Sequence, residues 1–140
     1  MTNKQSSEDG TLSEDEINWL LMRAEGGFGI ITTAATHVVP DGQGWKGEMG
    51  VWGDHHVPGL TRLATGIRER GAISLAQIFH GGMFAPEAIT GVRPVSASEN
   101  PLSKDSDETS RELSYDEIES IISSFGDAAS RCAKAGFDGV

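Results

Sequence analysis

In the stretch ISLAQIFHGG, Ile73 to Gly82, an apolar run ends in an amide, an imidazole and two glycines. Gln77 offers two N–H donors and a carbonyl acceptor on one side chain. His80 adds a ring that titrates near neutral pH. A strand that only fills a core has no need of that ending, whereas a strand that delivers its tip to a ligand does. His80 itself is expected to be a hydrogen-bonded packing residue rather than a proton donor. The other reactive residue types point to less. His55 and His56 are adjacent at a helix start, so their rings are expected to diverge. No Cys or carboxylate cluster at ligand spacing accompanies them, and no metal site is expected. Cys132, the single cysteine, falls on an apolar helical stripe and reads as core, not as a nucleophile. The glycines of DGQG, Asp41 to Gly44, are not followed by a helix start, which excludes a phosphate loop. No catalytic residue is assigned.

Three helices are needed to position these residues. The first starts at Ser13, with Glu16 three residues on, a capping-box pattern. Its stripe is Ile17, Leu20, Leu21 and Ala24, and Gly26-Gly27 stop it. The second opens near Pro58, a residue tolerated in a first turn. Leu60, Leu63, Ala64 and Ile67 form its stripe, and Gly71 ends it. The third repeats the box with Ser114 and Glu117. It carries Ile118, Ile121, Ile122, Phe125, Ala129 and Cys132, and ends at Gly136.

An apolar segment follows each helix: Phe28 to Ala35, Ala72 to Phe79 and Phe137 to Val140. The junctions RAEGGFGI, RERGAISL and AKAGFDGV share a basic last turn, a glycine and a strand start. This is an αβαβαβ repeat, whose strands run parallel through helical crossovers. The first two strands lack polar alternation, as expected for strands covered on both faces.

Two long connections, Thr36 to His56 and Gly81 to Leu113, leave the C-terminal ends of strands. That is where ligands bind in parallel α/β folds. Trp45 and Trp52 in the first loop are expected to cover apolar surface, and the run SKDSDETSRE in the second reads as solvated.

The chain has 140 residues and a net charge of −10, enough for about one domain. That charge argues against nucleic acid or an anionic membrane as a partner. No apolar run reaches the ~18 residues of a membrane span. The acidic N-terminus is no secretory signal, and the expected location is cytoplasmic.

Four separated stretches resemble the Old Yellow Enzyme family of NAD(P)H:flavin oxidoreductases: RAEGGFGIITTAATHVVPDGQG, AISLAQIFHGG, RPVSAS and AASRCAKAGFDGV. The resemblance implies an FMN-dependent enzyme on a (β/α)8 TIM barrel, with NAD(P)H as hydride donor and a small-molecule substrate such as an activated alkene. It implies that Gln77 hydrogen-bonds the pyrimidine edge of FMN. It also implies that Ala34 is the small residue after a strand where backbone nears the flavin, and that Thr2 is the hydroxyl residue near flavin O4 and N5. Two positions depart from the family pattern. Met83 and Phe84 stand where an arginine is expected after His80, and Thr32-Thr33-Ala34 stands where many members have Thr-Glu-Ala.

The opening MTNKQS resembles the residues just after the family's first strand, and Val140 falls inside an expected strand. Residues 1–140 are therefore expected to form an incomplete N-terminal part of one barrel domain, about strands two to four with three helices. The family's substrate-holding histidine pair, tyrosine donor and phosphate-binding residues lie beyond Val140, so the isolated chain is expected to lack turnover. The rival expectation is a non-catalytic half-barrel that self-associates or binds a partner protein, or a remnant of a truncated gene.

Overall fold

The computed structural model describes residues 1–105 and 107–140. Helix α1 (Glu14–Glu25) begins where expected, with Ser13 Oγ accepting the Glu16 N–H. Its capping box does not close, because the Glu16 side chain turns away to the N-terminal segment: Asn3 Nδ2 donates to it at 2.9 Å, and Ser6 Oγ also donates. Strand β1 (Ile30–His37) follows. It starts and ends two residues later than the apolar run suggested, so Ala34 lies inside the strand rather than after it. Strand β2 (Met49–Gly50) was hidden in the first long loop. Helix α2 (Val57–Glu69) carries Pro58 in its first turn, and strand β3 (Ile73–Phe79) completes the repeat.

The second long loop is more ordered than its composition suggested. It holds a one-turn helix, α3 (Glu87–Thr90), and a parallel ribbon of β4 (Val95–Ser96) and β5 (Arg111–Glu112). There are thus four helices among the described residues, not three. Arg93 bridges the ribbon's loop to Glu99 and Thr109, so much of the acidic run is tied down; its Ser106 lies outside the described residues. Helix α4 (Tyr115–Ala135) closes both halves of its Ser114/Glu117 capping box.

The sheet order is β2–β1–β3, all parallel. Helix α2 packs between α1 and α4, and these helices lie against β1 and β3. Leu60, Leu63, Ala64 and Ile67 of α2 are sealed in the core with Ile31, Ala76, Ala128 and Cys132. Full burial of one such side chain is worth about 1.5–3 kcal/mol. Two packing expectations fail. Strand β3 alternates: Ser74 and Ala76 are buried toward the helices, while Ile73 on the opposite face is 50% exposed. The α4 stripe is buried only near its end, at Cys132 with neighbours Ala128 and Ala135. Ile122 stays 58% exposed, and Ile118, Ile121 and Phe125 on the same half of the helix are only half-buried. The last expected strand is a single parallel bridge, Leu75 to Gly139, secured by the Asp138 carboxylate. That carboxylate accepts the Ser74 N–H and hydroxyl at 2.8 and 2.9 Å.

Candidate functional site

Strands β1 and β3 pair regularly from Ile30/Ile73 to Thr32/Leu75, then shift register before Ala35/Gln77. Three residues of β1 span what two of β3 span, so Thr33 and Ala34 form a bulge, a device that re-aims side chains at sheet ends. Thr33, fully buried, repairs the interrupted ladder. Its Oγ1 accepts the Gln77 backbone N–H at 3.0 Å and donates to Ala34 O at 2.8 Å. Thr36 Oγ1 donates to the same carbonyl at 3.0 Å. Gln77 is thereby fixed at the backbone with its amide half-buried above the bulge.

The N-terminal segment lies across these strands. The Ala35 N–H donates to Met1 O at 2.9 Å, and the Met1 amino group donates to Gln77 Oε1 at 2.8 Å. Thr2 therefore follows directly on a residue tied to both strands. The structure brings Thr2, Ala34 and Gln77 to one region at the C-terminal half of the parallel strands. An open cleft of about 530 Å³ reaches this region along β1, lined by Thr2, Trp19, Phe28, Ile30 and Ala34 among others. Gln77 lies outside that cleft, which follows the strand rather than its tip.

The loop after β1 adds residues that the sequence did not announce. The fully buried carboxyl of Glu48 accepts the Gly44 N–H at 2.6 Å through Oε2, while its buried Oε1 has no hydrogen-bond partner among the described residues. Trp45 in turn packs on Phe79, with centroids 5.7 Å apart, and its indole N–H donates to Asn3 O. Burial pushes the Glu48 carboxyl up to about 7 and the neighbouring His37 ring down to about 4. With Nδ1 and Oε2 3.9 Å apart, this is a contact between two groups that burial favours as neutral. An acid four residues after Gly44 was the one sequence signal for this arrangement, and nothing in it distinguished a buried loop acid from a surface one.

The remaining expectations sort clearly. His80 Nδ1 accepts the Gly82 N–H at 2.9 Å, a packing and turn role. Cys132 is buried, and its thiol is pushed up to about 11. The rings of His55 and His56 do not diverge. Their centroids are 3.9 Å apart and both meet Trp52 edge-on, because the 3₁₀ turn before α2 turns the two residues onto one aromatic neighbour. Burial pushes His56 down to about 4. Among the described residues no group of three His, Cys, Asp or Glu side chains could hold a metal ion. Likewise, no helix is long and apolar enough to cross a membrane.

A family model for the NADH:flavin oxidoreductase / NADH oxidase family matches residues 1–140. The chain belongs to this family. Members of the NADH:flavin oxidoreductase family similar to it include the probable NADH-dependent flavin oxidoreductase YqiG of Bacillus subtilis. That relative is 36% identical over 140 residues, covering all of this chain and 37% of YqiG. The NADH:acrylate oxidoreductase of Vibrio harveyi is 38% identical over 141 residues, covering all of this chain and 14% of that protein. Among solved structures, the Old Yellow Enzyme homologue from Zymomonas mobilis superposes with a TM-score of 0.90 at 28% identity, over 100% of this chain and 41% of that one. The chain thus spans well under half the length of these relatives, and its fold is part of a (β/α)8 barrel.

Proposed function

We propose that residues 1–140 form part of one barrel domain and hold the isoalloxazine side of FMN, in a protein that passes hydride from NAD(P)H to a small-molecule acceptor. The observation that carries this reading is the convergence of Met1-Thr2, Ala34 and Gln77 on one bulged strand pair. The donor set fits the group. The Gln77 amide keeps its two N–H donors for a pyrimidine edge, and its carbonyl, which already accepts from the Met1 amino group, has a second lone pair to accept with. Ala34 presents only a methyl where backbone and ring must approach. The Thr2 hydroxyl, on an exposed residue beside them, can donate to a flavin carbonyl or nitrogen.

Bound FMN supplies the hydride relay between donor and acceptor. The chain's residues do the holding. Thr33 fixes the Gln77 backbone and the Met1 amino group holds its side-chain carbonyl, and the Thr2 hydroxyl would tune the reduction potential. The acceptor class favoured is an alkene conjugated to a carbonyl. Support comes from relatives named for acrylate and fumarate.

The test is FMN titration by flavin fluorescence on the purified protein. Loss of one amide hydrogen bond in Gln77→Leu weakens FMN binding by about two- to tenfold. Thr2→Val leaves affinity nearly intact and shifts the flavin reduction potential. Unchanged affinity in Gln77→Leu and unchanged potential in Thr2→Val together reject the assignment.

A further inference from the structure

Thr2 sits on a segment with no helix or strand of its own. Something else must hold residues 1–6 across β1 and β3. Two buried carboxyls contribute, Glu16 directly and Glu48 through the loop that it sits in. Glu16, fully buried in α1, receives Asn3 Nδ2 at 2.9 Å and the Ser6 hydroxyl. Glu48, fully buried in the loop after β1, never touches the segment. It instead closes residues 44–48 around its own side chain by accepting the Gly44 N–H at 2.6 Å. That fold aims the Trp45 indole N–H at Asn3 O and its ring at Phe79, two residues beyond Gln77. It also brings Gly47 O to the Ser6 N–H at 3.1 Å. The chain of contacts runs from Glu48 through Trp45 and Gly47 to Asn3 and Ser6, on the C-terminal side of Thr2.

We propose that Glu48 is a positioning residue for the flavin face: it shapes the 44–48 loop into a clamp that holds Thr2 in register with Ala34 and Gln77. This rests on the assignment of those three residues to FMN. Glu48 touches neither flavin nor substrate in this scheme, and its effect passes through Trp45. A carboxamide oxygen can accept the same Gly44 N–H, so Gln preserves the clamp and Ala removes it.

The experiment compares Glu48→Ala and Glu48→Gln in ¹H–¹⁵N spectra, first without flavin. The reporters are the Ala35 amide, bonded to Met1 O, and the Trp45 indole N–H. In Glu48→Ala both exchange at least about tenfold faster, while the Leu63 amide in α2 is unchanged; Glu48→Gln restores both. Exchange that rises equally in α2, or does not rise at Ala35, overturns the proposal. If Glu48→Ala fails to fold, Trp45→Leu cuts the clamp one contact downstream and is read at the Ala35 amide, with Leu63 as the same control. FMN titration follows. Affinity falls at least about threefold in Glu48→Ala and recovers in Glu48→Gln, a change of the size one hydrogen bond carries. Equal affinity in Glu48→Ala and wild type overturns the proposal while leaving the FMN assignment standing. No FMN binding by the wild-type protein rejects that assignment, and Ala35 exchange still decides whether Glu48 sets the segment.

Discussion

Thr33 shows how much one hydroxyl can carry at a strand irregularity. It replaces a ladder acceptor that the bulge removes, inside a site with no access to water. Thr33→Val keeps the shape and strands the Gln77 N–H, which costs about 1–3 kcal/mol; Thr33→Ser restores most of it. Urea midpoints measure both, and a Val variant as stable as wild type contradicts the role. Glu48 makes a second prediction at this scale. Its carboxyl sits at about 7 in the fold against an ordinary 4.5, so folding favours the protonated form. The stability of wild type relative to Glu48→Gln is therefore greatest below about pH 4.5. It falls by up to about 3 kcal/mol as pH rises through 7, and is flat above. His37 and His56, pushed down to about 4, act oppositely, since their neutral forms are favoured and their contribution is lost as pH falls from about 6.5. His56 cancels in the wild-type-minus-Gln difference, whereas His37, 3.9 Å from Glu48, is coupled to it and is removed from the comparison by making both measurements in a His37→Gln background; denaturant titrations from pH 5 to 8 follow the difference. Neither Thr33 nor Glu48 was legible in the sequence. A bulge is a relation between two strands, and one strand's residues do not reveal it. Gln77, by contrast, announced itself, because an amide ending an apolar run is a local signal.

At the scale of elements, local chemistry foretold the helices and misjudged what they cover. Ser13 and Ser114 cap the helices they were expected to cap, and the α2 stripe is buried to its last residue. The stripe of α4 has equal apolar character yet is only half-buried over its first half, with Ile122 left open, because burial depends on a neighbour and not on period. The two helices should therefore respond differently to the same change. Leu63→Ala, in a sealed site, costs about 2–5 kcal/mol. Ile122→Ala, on the open face, stays within about 0.5 kcal/mol of wild type. Thermal or urea unfolding of the pair decides it, and equal losses would mean that the first half of α4 is covered in solution. The short strands β2, β4 and β5 escaped sequence reading for a related reason. Two-residue strands have no periodicity to detect, and their existence rests on partners far along the chain.

For the molecule as a whole, the sheet edge and the faces beside it govern behaviour in solution. Phe28 is 65% exposed, Ile30 57% and Ile73 50%; Ile30 and Ile73 are paired in register, and Trp19 of α1 lines the same cleft as Phe28 and Ile30. Contiguous apolar surface of this kind drives association. The 140-residue chain is expected to self-associate with rising concentration in light scattering coupled to size exclusion, and Phe28→Lys with Ile30→Lys to reduce it. A monomer at all concentrations that binds no hydrophobic dye would contradict this. The N-terminal segment behaves differently, because it is recognised through its main chain. A Cβ on Gly47 would meet Lys4 O at 2.8 Å, and one on Gly10 would meet the Gly50 nitrogen at 2.8 Å; both glycines have φ near +80°, at 75° and 82°. Backbone lies on backbone there with no side chain between. The letters at Lys4, Ser7 and Glu8 therefore carry little information about the fold and are free to drift. The two glycines are spelling that the contact cannot do without.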